Sequence, residues 1–67
     1  MKQFSKETLS VLNVFNKTDE WVSNEFLCEN TGLTIMRVKG YIVELQARGL
    51  VESKIENGKR YYRKKVD

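Results

Sequence analysis

Apolar residues fall along the chain in three stretches of helical spacing followed by one stretch of alternation. From Lys6 to Asn16 the apolar positions Leu9, Leu12 and Phe15, with Val11 and Val14 beside them, recur every three or four residues, the mark of an amphipathic helix. Ser5 precedes them as a cap for the free amides of the first turn, and the polar cluster Asn16-Lys17-Thr18-Asp19 closes the helix, predicted over about residues 5–16. Trp21 and Val22 favour extended backbone and predict a very short strand near residues 20–22. Ser23 then caps a second helix of about residues 23–30, with Glu25 in its first turn and Phe26 and Leu27 as its buried side; Asn30-Thr31-Gly32 ends it. Thr34 opens a third helix, about 34–48, whose stripe Ile35, Val38, Ile42 and Leu45 faces the core.

After Gly49 the period changes from helical to two. Val51, Ser53 and Ile55 alternate with Glu52, Lys54 and Glu56, and Asn57-Gly58 is the strongest short hairpin signal, because both residues tolerate the positive φ of a type I′ turn. That turn sets Glu56 opposite Lys59, Lys54 opposite Tyr61 and Glu52 opposite Arg63 on one face. Val51, Ser53, Ile55 and Tyr62 share the other, apolar face. Opposite charges on one face and packing groups on the other make the register self-consistent. The predicted fold class is α+β: three helices and a C-terminal hairpin over about residues 50–65, in one domain spanning residues 1–67.

Composition narrows what such a domain can do. The chain has 67 residues, one Cys and no His. It therefore lacks the His/Cys cluster of a structural zinc site and a His to activate a nucleophile, and its carboxylates are scattered. No metal, no cofactor and no enzymatic activity are expected. One Cys cannot form an internal disulfide, which suits a reducing compartment. No apolar run approaches the roughly 20 residues that span a bilayer. The segment Met1-Lys2-Gln3-Phe4-Ser5 lacks the apolar block of a secretory signal, so the expected location is cytoplasmic and off the membrane.

The net charge of +3 conceals an asymmetry. Residues 1–36 hold three cations and five carboxylates, a net −2, whereas residues 37–67 hold nine cations and four carboxylates, a net +5. Lys59, Arg60, Arg63, Lys64 and Lys65 are interleaved with Tyr61 and Tyr62 and no acid. A one-sided basic surface attracts a polyanion.

Two helices joined by a turn of about three residues, the second followed by a basic hairpin, form a winged helix-turn-helix arrangement. Cys28, four residues before Gly32, supplies the small residue such a crossing needs, and Val38, six after it, the aliphatic lock. Cys28 reads as a packing residue, and Tyr62 and Trp21 as core aromatics. The stretch Leu33–Val51 resembles the recognition helix and exit strand of bacterial winged-helix regulators. Its core spacing Val38, Ile42, Leu45, Gly49-Leu50-Val51 is similar to that of the MarR and ArsR families. The combination Val38-Lys39-x-Tyr41-Ile42-x-x-Leu45, with a wing of Gly58-Lys59-Arg60-Tyr61-Tyr62, resembles most the small FaeA/PapI-like regulators of pilus operons, over about residues 5–65. The resemblance implies a DNA-binding transcriptional regulator, whose third helix meets DNA or a larger DNA-bound partner such as the leucine-responsive regulator. Gly40 departs from that pattern, where a bulkier residue is usual.

At about 100° per residue, Met36, Gly40, Val43 and Ala47 fall on the arc opposite Val38, with Arg37 and Lys39 flanking them and Tyr41 at the boundary, its hydroxyl able to reach solvent. Thr34, Met36, Arg37, Lys39 and Gly40 are expected to approach the major groove. Arg37 suits a guanine edge, Met36 a thymine methyl and Lys39 a phosphate. Lys59, Arg60, Arg63, Lys64 and Lys65, with Lys54 and Tyr61 nearby, suit the phosphate backbone. Double-stranded DNA is thus the expected partner. The exposed stripe Met36, Gly40, Val43 and Ala47 supports an alternative: a protein-interaction winged helix that docks on a second copy, a larger DNA-bound regulator or a polymerase subunit.

Overall fold

The structure, a computed structural model, describes residues 4–66. Lys2 and Asp67, counted in the charge balance above, and the first three residues, on which the absence of a secretory signal was read, lie outside them. Three helices, α1 (Lys6–Asn16), α2 (Asn24–Thr31) and α3 (Ile35–Ala47), precede two antiparallel strands, β1 (Val51–Glu56) and β2 (Lys59–Lys64). Among the described residues no helix is long and apolar enough to cross a membrane.

Each helix begins where a side-chain oxygen satisfies a first-turn amide. Ser5 accepts from Thr8, Ser23 from Phe26 and Thr34 from Arg37. The three-residue turn between α2 and α3 starts at Gly32, in the left-handed region at φ 74°. At the end of α3 the Gly49 amide donates to the Gln46 carbonyl and the Leu50 amide to the Leu45 carbonyl, the paired bonds of a Schellman motif that fold Leu50 back on the last turn. Asn57 and Gly58 both take positive φ, 53° and 78°, and close the hairpin in the expected register: Glu52 pairs with Arg63, Lys54 with Tyr61 and Glu56 with Lys59.

The short strand at residues 20–22 reduces to one bridge. The Val22 and Tyr62 backbones exchange two hydrogen bonds of 2.8 Å, which ties the α1–α2 connection to the outer edge of β2. The core joins every element: Val11 and Phe15 of α1, Val22, Leu27 of α2, Val38, Ile42 and Leu45 of α3, Val51 and Tyr62. Side chains such as Phe15, Leu27 and Ile42, sealed from water, each contribute about 1.5–3 kcal/mol of transfer free energy. Cys28 packs half-buried against this core. The arrangement is that of a winged helix-turn-helix, with the hairpin as the wing.

Five expectations about burial need correction. Leu9 is exposed and Thr8 is buried in its place, because Leu9 stands about 200° around the helix from Val11. Phe26 is exposed while its neighbour Leu27 is sealed; Phe26 instead flanks a shallow groove of about 280 Å³, shared with Trp21, Val22 and Tyr61. Ile35, in the first turn of α3, overhangs the end of the core and is 43% exposed. Ile55 shares the face of Tyr62 but lies next to the wing tip, where no helix covers it, and is 65% exposed. Trp21 is half-buried on the wing rather than in the core, held by cations described below.

Candidate nucleic-acid interface

Burial of Val38, Ile42 and Leu45 fixes which side of α3 faces outward. Thr34, Met36, Lys39, Gly40, Val43 and Ala47 are all exposed, Met36 at 82% and Val43 at 63%. A Cβ built on Gly40 meets nothing within 4 Å, so no neighbouring element requires a glycine at this position. The second apolar stripe read from the sequence is therefore a real surface feature.

Arg37 and Tyr41 are not free on that surface. The Arg37 Nη1 donates to the Glu7 Oε1 of α1 at 2.9 Å, and the Tyr41 hydroxyl donates to the same oxygen. Tyr41 lies at the boundary, its ring against the core as expected, but its hydroxyl ends on Glu7 rather than in solvent. The Tyr41 bond, then Arg37, holds the Glu7 carboxyl below its ordinary value against partial desolvation. The Tyr41 phenol is raised in return, chiefly by the bond to Glu7, and the same carboxylate raises Arg37 further. Glu7 has no sequence signal of its own: its partners lie 30 and 34 residues away.

The wing divides its cations into two groups. Arg63 donates through Nε and Nη2 to Glu52 Oε2 at 3.2 and 2.8 Å, and its guanidinium lies 4.5 Å from the centroid of the Trp21 ring. Lys54 sits 4.7 Å from that centroid and 3.6 Å from Glu56. The bridge of Val22 to Tyr62 brings Trp21 level with Arg63, so both cations rest on an aromatic supplied by the α1–α2 connection. Tyr61 is half-buried along the groove beside Trp21. Lys59 and Arg60 at the wing tip, and Lys64 and Lys65 at its far end, are exposed. Together with Lys39 these four make no ion pair among the described residues.

The structure thus leaves Thr34, Met36, Lys39 and Gly40 open on α3 and ties Arg37 and Tyr41 to α1 through Glu7, and it splits the residues expected on the wing into a braced base and an open tip and end. Trp21 and Glu7 were missed as parts of this surface. A signal for Trp21 was present, an aromatic in a short extended stretch ahead of a cationic hairpin, but its partner could not be chosen without the bridge. Among the described residues no group of His, Cys, Asp or Glu is gathered to hold a metal ion.

No protein-family model and no curated protein sequence matches the chain. Among solved structures it is similar to a homodimeric winged helix-turn-helix DNA-binding domain from Mycobacterium bovis, a possible ArsR-family transcriptional regulator, solved in solution by NMR. The TM-score is 0.74 at 24% sequence identity over 87% of this chain, which spans 52% of that structure. The likeness shows the winged helix-turn-helix fold.

Proposed function

We propose that the chain is a sequence-specific DNA-binding domain of a transcriptional regulator, with the N-terminal half of α3 in the major groove and the wing on the phosphate backbone. One observation carries the reading: of the seven cations that make no ion pair among the described residues, five, Lys39, Lys59, Arg60, Lys64 and Lys65, sit on α3 and the wing and its end, while the rest of the described chain holds only Lys6 and Lys17 of them and carries most of the acids. Fixed positive charge on the elements that this fold presents to a duplex favours a polyanion there. Thr34, Met36, Arg37, Lys39 and Gly40 supply the groove contacts, with Tyr41 at their edge. Lys59, Arg60, Lys64 and Lys65 supply phosphate contacts. Lys54, Tyr61 and Arg63 lie beside them on the wing's braced base, where Glu56 and Glu52 offset the pull of the two cations on phosphate. A single domain of this kind makes few base contacts, so useful specificity calls for a second copy or a partner; the mycobacterial neighbour is itself homodimeric.

A titration of labelled protein with a random duplex, followed by NMR, tests the reading. Amide shifts concentrated in α3 and the wing support it; shifts confined to α1, or none, refute it.

A second reading draws on Met36 and Val43, whose 82% and 63% exposure leaves an apolar stripe on the helix meant to read bases. In that reading α3 docks on a second protein, such as the larger DNA-bound regulator implied by the resemblance to FaeA/PapI-like proteins. Met36→Glu with Val43→Glu would then abolish partner binding, while neutralising Lys59 and Arg60 would leave it intact.

A further inference from the structure

We propose that Glu7 is a specificity-determining positioning residue: by holding Arg37 through one nitrogen it directs that arginine toward a guanine edge and away from phosphate. The inference rests on the DNA-binding reading above and deepens it.

The geometry supplies the argument. The bond to Glu7 uses Arg37 Nη1 alone, and Nε and Nη2 donate to no other described residue. The Arg37 side chain remains 60% exposed in this pairing. A guanidinium anchored at one corner keeps a second edge of two parallel donors, the fork that matches guanine O6 and N7. Glu7 is itself fixed, because its Oε1 also accepts from the Tyr41 hydroxyl, and Tyr41 is packed against the core. The anchor therefore leads back to the rigid interior through Tyr41.

The charge of Glu7 acts in the same direction. A carboxylate 2.9 Å from the guanidinium offsets its attraction for a phosphate, which carries a full negative charge. A guanine edge is neutral, so its hydrogen bonds to the remaining donors lose far less. The wing cations of the tip and end have no such counter-charge among the described residues and suit phosphate. On α3 the cation braced by an acid reads, and the unpaired cations at the wing's tip and end hold.

The test compares wild type, Glu7→Gln and Arg37→Lys on two readouts: the base preferences enriched from a randomised duplex library, and the salt dependence of binding to a random duplex. Wild type should enrich sites with a preferred guanine. Glu7→Gln, with Arg37 released to a phosphate, should bind the random duplex about three- to tenfold more tightly at low salt. It should steepen the log–log salt slope by about 0.9, one phosphate contact, and weaken the guanine preference. Arg37→Lys keeps the charge without the fork, so it should retain random-duplex affinity and lose that preference. Glu7 lies on the surface, and unchanged far-UV circular dichroism would show that the fold is kept. A Glu7→Gln protein with the wild-type slope and preferences, or an Arg37→Lys protein that still selects guanine, overturns the inference and leaves DNA binding standing. Wild type that binds duplexes without any base preference overturns it too. Wild type that binds no duplex removes the underlying reading and the inference together.

Discussion

Glu7 and Thr8 are neighbours in sequence with opposite surroundings. Thr8 is buried, and its hydroxyl meets the Ser5 hydroxyl at 2.8 Å and donates to Glu44 Oε1 at 3.1 Å, joining the cap of α1 to the middle of α3. A hydroxyl so partnered can take a core position that the apolar pattern assigned to Leu9. Thr8→Val keeps the shape and removes both bonds. Because Ser5 and Glu44 reach water, the loss should be about 1 kcal/mol in urea unfolding rather than the larger cost of stranded polar groups. Glu7 gives a pH signature. Its folded carboxyl is held below its ordinary value by Tyr41 and Arg37, so the stability it adds is complete above the unfolded value of about 4.3 and is lost as pH falls through the lowered folded value. Melting curves of wild type and Glu7→Gln should therefore converge on acidification from pH 7 to pH 3, wild type being the more stable at pH 7. These residues were illegible in the sequence for one reason: their partners on α3 are 30 to 36 positions away, and only the packing of α1 on α3 decides which side chains meet.

Elements whose cause is local were legible. The three caps, the end of α3 before Gly49 and the turn at Asn57-Gly58 each depend on side-chain or backbone chemistry within six residues, and the structure shows them all. The position of Trp21 was not, since it follows from the bridge between Val22 and Tyr62, 40 residues apart in the numbering. Gly40 separates two physical demands on α3. A glycine inside a helix costs about 0.5–1 kcal/mol relative to alanine, and open space surrounds this one. Gly40→Ala should accordingly raise stability by that amount in chemical denaturation. If the surface that approaches Gly40 is a DNA groove, the same substitution should lower duplex affinity. Opposite signs in the two experiments place the reason for the glycine outside the chain; affinity unchanged in Gly40→Ala removes Gly40 from the contact surface.

At the scale of the whole molecule, the sequence divides into an acidic first half and a basic second half, −2 against +5. The basic half contains all but the first two residues of α3 and both wing strands, and the fold it belongs to is similar to that of the mycobacterial domain. The structure sharpens which charges count. Among the described residues Arg37, Arg48, Lys54 and Arg63 are paired with carboxylates, and Lys59, Arg60, Lys64 and Lys65 are not. Total charge was readable from the sequence; its division into braced and available cations was not, because pairing depends on side-chain geometry. Four available wing cations set a quantitative expectation for binding. The deciding measurement is the affinity for a random duplex as a function of salt, followed by the fluorescence of Trp21, the chain's one tryptophan, which lies against two wing cations. Four phosphate contacts predict a log–log slope near −3.6, falling to near −1.8 when Lys59 and Arg60 are both changed to Ala. An affinity independent of salt, or a slope unmoved by those two substitutions, would contradict the account.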